Sequence, residues 1–121
     1  VKDSGYERRD RGALYALQKR KGDCTEYACL FAALCRMNGI PARGMGGYVV
    51  KHNRVFSPAA YHNWAEFFDG GRWQLADPQR QVFGGCSPDY IAMRVVGDTE
   101  SPMGEYPRFR FEGDGLKVRM R

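Results

Sequence analysis

No apolar run in this 121-residue chain exceeds nine residues, at positions 27–35. A membrane-spanning helix needs about 20, so no membrane segment is expected. The first residues also lack the basic, apolar and small-residue succession of a secretory signal. No initiator methionine precedes Val1. This suggests a processed chain or a domain cut from a longer protein with flanking domains, and it leaves the compartment open. Paired C-x-x-C spacing is missing among Cys24, Cys29, Cys35 and Cys86, so a structural zinc site is not expected. Three of these cysteines fall in one expected helix at separations of five and six residues, poorly placed to bridge along it. A disulfide framework is not expected either, and a domain of this size does not require one. Gly44, Gly46 and Gly47 are followed by no Gly-Lys-Ser/Thr, which excludes a phosphate loop. A net charge of +5 is too modest to imply nucleic-acid binding.

The chain has 43% apolar and 27% charged residues, the balance of one globular domain covering residues 1–121. Residues 1–10 are polar and read as a loosely held lead-in. Residues 13–20 form a short helix candidate with Leu14, Leu17 and Ala13 as inward positions. Gly22 then breaks the chain before a main helix over residues 24–37. Asp23 with Glu26 three residues later has the form of a capping box, and Asn38-Gly39 before Pro41 is a stop signal. The middle of this helix is apolar on every side, which predicts burial all round.

Beyond it the period becomes that of strands. Residues 42–51 read as one strand whose glycines allow a bulge or a close backbone approach. Residues 52–60 form a polar loop. Residues 61–69 and 72–77 make a hairpin across Gly70-Gly71. Residues 89–96 are a strand or a helical turn. Residues 106–111 and 116–121 read as a second hairpin, with basic residues on one face and apolar residues on the other. That basic stripe is read as a solvated sheet face.

Three segments carry the chemistry. Cys24 opens the main helix, where unpaired N–H groups and the positive end of the helix dipole favour a thiolate. Asp23 and Glu26 oppose that charge, so an imidazolium partner is required as well. His62 is the better of the two histidines for this role, because His52 lies in a loop with no carboxylate at hairpin spacing. A four-residue loop would set His62 directly opposite Asp77. A three-residue loop would put them on opposite faces unless a bulge intervened. The preferred two-residue turn at Gly70-Gly71 pairs Asp69 with Arg72, Trp64 with Asp77 and His62 with Gln79. His62 and Asp77 then lie diagonally on one face, within reach of each other. Trp64 and Trp73 share that face, where they pack the core and exclude water from the base. Taken singly, a helix cysteine, a strand histidine and an aspartate before proline each have ordinary structural readings. Those readings do not account for the compatible geometry of all three.

The stretches Lys21-Gly22-Asp23-Cys24 to Leu34-Cys35-Arg36, Asn38-Gly39-Ile40-Pro41-Ala42-Arg43, Gly47-Tyr48, His62-Asn63-Trp64-Ala65-Glu66 and Trp73-Gln74-Leu75-Ala76-Asp77-Pro78 resemble the core of the transglutaminase-like superfamily. This superfamily belongs to the papain-like thiol enzymes, and the resemblance spans about residues 13–83. It implies an α+β fold, with a central buried helix carrying the nucleophile at its N-terminus and packed on an antiparallel β-sheet. It further implies Cys24 as nucleophile, His62 as general base and acid, and Asp77 as the residue orienting His62. The backbone N–H of Cys24 would hold part of the oxyanion. No side-chain donor is evident, and Gln18 and Tyr15 are weakly supported candidates.

Acyl transfer to water would make the protein a peptidase, or an amidase acting on glycopeptides. Transfer to an amine would make it a protein-glutamine gamma-glutamyltransferase. Some members of the family have lost the residues and only bind, so a non-catalytic interaction domain is the alternative of another class. The arylamine N-acetyltransferases use Cys-His-Asp on a related core, but fit the helix and the Trp73 to Pro78 surroundings less well. The chain is short and has no clustered Asp/Glu calcium loop, so hydrolysis of peptide or protein substrates is the first expectation, with no cofactor or metal.

Overall fold

A computed structural model describes residues 1–6, 10–50, 56–57, 60–85 and 88–96. The second expected hairpin, His52 and Cys86 lie outside these residues. The elements run β1 (Lys2–Asp3), α1 (Gly12–Lys19), β2 (Lys21–Gly22), α2 (Cys24–Met37), β3 (Ala42–Val49), β4 (His62–Phe68), β5 (Trp73–Asp77), β6 (Val82–Phe83) and β7 (Tyr90–Val96). Five strands form one antiparallel sheet in the order β6-β5-β4-β3-β7, with α2 on one face. The architecture is the expected α+β one, and residues 90–96 resolve to a strand.

Alanine sets how closely helix and sheet approach. Ala28 of α2, Ala65 of β4 and Ala76 of β5 are all at most 2% exposed and form one core cluster. Phe31 and Phe67 flank it, and Phe83 of β6 stacks on Phe67 with centroids 5.1 Å apart. Met45, Trp64 and Leu75 form a second core on the opposite face, where strand alternation sends them. Burial of α2 is one-sided: Leu34 is 46% and Met37 82% exposed, against the expectation of burial all round. The sheet and α1 meet the side carrying Thr25, Ala28 and Ala32, and an all-apolar helix surface leaves its outer side in water.

α1 also departs from expectation. Leu14 and Leu17 are largely exposed, and Ala16 is the buried residue. Glu26 supplies the reason. Its Oε1 accepts the backbone N–H groups of Arg11 (2.7 Å) and Gly12 (3.3 Å), which fixes the start of α1 and turns Ala16 inward. Its Oε2 accepts the N–H of Asp23 at 3.1 Å, so one carboxylate ties both helix starts together. Burial, with the Asp23 carboxylate close by, holds the Glu26 carboxyl above its usual range. Glu26→Ala strands three N–H groups beside a residue 1% exposed. Unsatisfied buried donors cost about 1–3 kcal/mol each, so a loss of about 3 kcal/mol is expected in urea unfolding. A loss below about 1 kcal/mol would show that water replaces the carboxylate.

The first residues are anchored rather than loose. Lys2 donates its N–H to the Arg20 carbonyl (2.7 Å), Ser4 donates to that of Gly22 (3.0 Å), and Tyr27 Oη donates to the Val1 carbonyl (2.7 Å). The short parallel β1–β2 pair follows from these bonds. A polar composition hid a pairing made entirely by backbone groups.

Candidate active site

The start of α2 has the capping box that its sequence announces. Asp23 accepts the N–H of Thr25 at 2.9 Å and that of Glu26, while Glu26 returns a bond to the Asp23 N–H. Three of the four orphan donors of this helix end are thus occupied. The fourth is the N–H of Cys24, which has no hydrogen-bond partner among the described residues. The two carboxylates that oppose a thiolate at Cys24 are therefore directed onto backbone donors. Among the described residues the Cys24 N–H is the donor of this helix end that remains open.

The β4–β5 hairpin has the expected register. Phe68 pairs with Trp73 and Ala65 with Ala76, which places Asp69 opposite Arg72 and Trp64 opposite Asp77. Gly70 has φ +100°, a value at the first turn position that glycine adopts freely and the flanking strand twist favours. Asp69 accepts the N–H groups of Gly71 and Arg72, and these bonds, the Arg72 one first, hold its carboxyl down at about 2. This turn sets the diagonal that joins His62 to Asp77. His62 Nε2 lies 2.7 Å from Asp77 Oδ2, and Asp77 is fully buried.

With Nε2 taken by Asp77, the other ring nitrogen is left for Cys24, whose thiol is within hydrogen-bonding reach. Burial by itself would lower the His62 pKa. The hydrogen bonds to Asp77 and Cys24, and the charges of both, outweigh it and raise the pKa to about 9. Trp64, 1% exposed, stacks on the imidazole with centroids 6.2 Å apart. Trp73 does not share this shielding role: it is 37% exposed, with the Arg43 guanidinium 4.0 Å above its ring. Its position at the turn end of the hairpin, four residues from Asp77, accounts for the difference.

Sequence reasoning missed Tyr90. Its hydroxyl donates to Asp77 Oδ2 at 2.7 Å, the same oxygen that meets His62, and its ring stands edge-on to Trp64. Burial and then the Asp77 carboxylate raise the phenol's pKa, keeping it a donor. No local motif marks Tyr90, because the contact depends on β7 crossing to pair with β3. Of the two weak oxyanion candidates, Gln18 is exposed on α1, and the Tyr15 hydroxyl accepts from Arg11 at 2.8 Å. Among the described residues no group of three or more His, Cys, Asp or Glu side chains is placed to hold a metal. No helix among them is long and apolar enough to cross a membrane.

Comparison with known proteins agrees with this architecture. No curated protein matched the chain. A crystal structure of a "Putative Cysteine Protease" from Cytophaga hutchinsonii superposes with a TM-score of 0.55 at 35% sequence identity. The match covers 68% of this chain and 27% of that one, so this chain spans about a quarter of the length of the protein it resembles. The model of the transglutaminase-like superfamily core matches residues 1–78, which include α2, the β4–β5 hairpin and all three polar side chains gathered at its end. The chain belongs to the transglutaminase-like superfamily.

Proposed function

We propose that this chain performs thiol-dependent acyl transfer on peptide or protein amides, and that its acceptor is water. Cys24 is the nucleophile, His62 the general base and acid, and Asp77 the carboxylate that orients His62. The observation that carries this reading is the 2.7 Å bond between His62 Nε2 and Asp77 Oδ2, with the second ring nitrogen left for the Cys24 thiol. Likeness to a solved chain described as a "Putative Cysteine Protease" supports hydrolysis over amine transfer.

The reaction follows from the groups present. Cys24 Sγ bonds to the amide carbon, and the imidazolium of His62 gives its proton to the departing nitrogen as the C–N bond breaks. The neutral imidazole then takes a proton from water as that oxygen attacks the thioester. Collapse of the second adduct breaks the C–S bond and returns the pair to its starting state. Asp77 keeps the ring in the tautomer this cycle needs.

Incubation with an unfolded protein and a labelled primary amine tests the assignment. The expected result is cleavage fragments without label, lost in Cys24→Ala. Label incorporation without cleavage would replace hydrolysis by cross-linking. If neither occurs and iodoacetamide modifies Cys24 no faster than a free thiol, the catalytic reading fails. Cys35 is an internal control, since burial pushes its thiol pKa up.

A further inference from the structure

Attack on a carbonyl places negative charge on its oxygen, and such sites ordinarily aim more than one donor there. The surface beyond the start of α2 holds a second candidate. Gly46 pairs with Asn63 on one side and Arg94 on the other, so all three point to the same face. Asn63 Nδ2 donates to Thr25 Oγ1 at 2.8 Å, which sets that row against the first turn of α2. Tyr61, two residues before Asn63, continues the row past the helix end. Its ring stands edge-on to Tyr48 with centroids 5.6 Å apart, and its hydroxyl accepts from Arg94 Nε at 2.7 Å. That hydroxyl lies directly over Gly46, where a Cβ would fall 2.0 Å from the oxygen.

We propose that the Tyr61 hydroxyl is the side-chain donor of the oxyanion hole, acting with the Cys24 N–H on the carbonyl oxygen of the acyl group. This inference rests on the acyl-transfer reading of Cys24. As the sulfur–carbon bond forms, the carbonyl π pair moves to oxygen, and Tyr61 donates a hydrogen bond to it while keeping its own proton. The pair returns to carbon when the leaving group departs, and nothing is transferred to or from Tyr61.

Several features fit this role. Arg94 occupies the acceptor side of the phenol, so the hydroxyl proton is directed elsewhere, and its positive charge favours a nearby oxyanion. Burial raises the phenol's pKa by more than the charge and hydrogen bond of Arg94 lower it, and the charges of Tyr48 and Cys24 add to the rise, so Tyr61 stays protonated within electrostatic reach of the sulfur. Gly46 is the one residue type that leaves the hydroxyl its place. Asn63 Oδ1 flanks the same point, 2.8 Å from that Cβ position, buried and without a hydrogen-bond partner among the described residues.

Two reagents separate this role from a structural one. p-Nitrophenyl acetate acylates Cys24 through an oxyanion, whereas iodoacetamide alkylates the same sulfur without one. In Tyr61→Phe, which keeps the ring contact with Tyr48, acylation is expected to fall about 100-fold with alkylation unchanged. Equal acylation in variant and wild type would overturn the proposal. A parallel fall in both reactions would also overturn it, since Tyr61 would then be supporting the thiolate or the fold. If wild-type Cys24 shows no selective alkylation, the acyl-transfer reading fails and takes this proposal with it. That result is distinct from failure of Tyr61 alone.

Discussion

Replacing His62 with alanine is expected to slow acylation of Cys24 by about a millionfold and to abolish the alkaline limb of its pH profile. In the proposed reaction the imidazole provides both the charge that holds the thiolate and the proton that the departing amine needs. Its pKa is raised to about 9 because the bonds and charges of Asp77 and Cys24 outweigh burial. Amide acylation should therefore hold through neutral pH and fall only as His62 loses its proton near that value. Alkylation by iodoacetamide requires no proton donor, so it should not fall with it. Stability must follow the same titration. A histidine whose folded pKa lies above its ordinary value of 6.5 binds its proton more tightly in the folded chain. Its contribution is fully present below 6.5 and is lost as pH rises through about 9. Denaturant unfolding at pH 6 and pH 9.5 should show a decline in the wild type that His62→Ala lacks. Identical slopes in the two proteins would mean that His62 gains no partner on folding.

The bounds of α2 and its capping box were legible because Asp23, Glu26 and Asn38-Gly39 are local signals, each acting within one helical turn. The diagonal between His62 and Asp77 was legible for a similar reason. A glycine pair of fixed length sets the register, and alternation then decides which side chains share a face. What escaped depends on contacts between segments distant in sequence. Tyr90 reaches Asp77 only because β7 pairs with β3 across a bulge at Gly46 and Gly47, and Arg94 reaches Tyr61 through the same pairing. Those glycines allow a bulge or a close approach, but nothing in their neighbourhood names the strand that approaches. The orientation of α1 was lost in another way. Leu14 and Leu17 have the greater hydrophobicity, yet three backbone donors bound by one buried carboxylate decided which face turns inward. Satisfying buried hydrogen bonds outweighed the transfer of two leucines from water.

Asp77→Asn and Asp77→Ala are expected to fail in different ways, and the contrast isolates what the carboxylate contributes. Asp77 is fully buried and accepts from His62 and Tyr90 on Oδ2 and from the Arg80 N–H on Oδ1 (3.3 Å). Alanine leaves all of these without an acceptor, and breaking a buried charged pair in this way costs about 3–5 kcal/mol. That loss should appear directly in unfolding and would obscure any reading of activity. Asparagine keeps the shape and one acceptor, so its cost in stability should be much smaller. Its amide, however, must set an NH₂ against one set of donors. If the NH₂ faces Nε2, that nitrogen can only accept, the proton sits on Nδ1, and the ring cannot take the Cys24 proton. If it faces the Arg80 N–H instead, two donors oppose each other and the negative charge is still gone. In either case acylation should fall by about four orders of magnitude while the fold survives. The same substitution removes a hydrogen bond and a charge that raise the His62 pKa, so any residual alkaline limb should move from about 9 toward the ordinary value of 6.5. Retention of activity within tenfold, with the limb unmoved, would show that His62 is oriented by its packing on Trp64 rather than by Asp77.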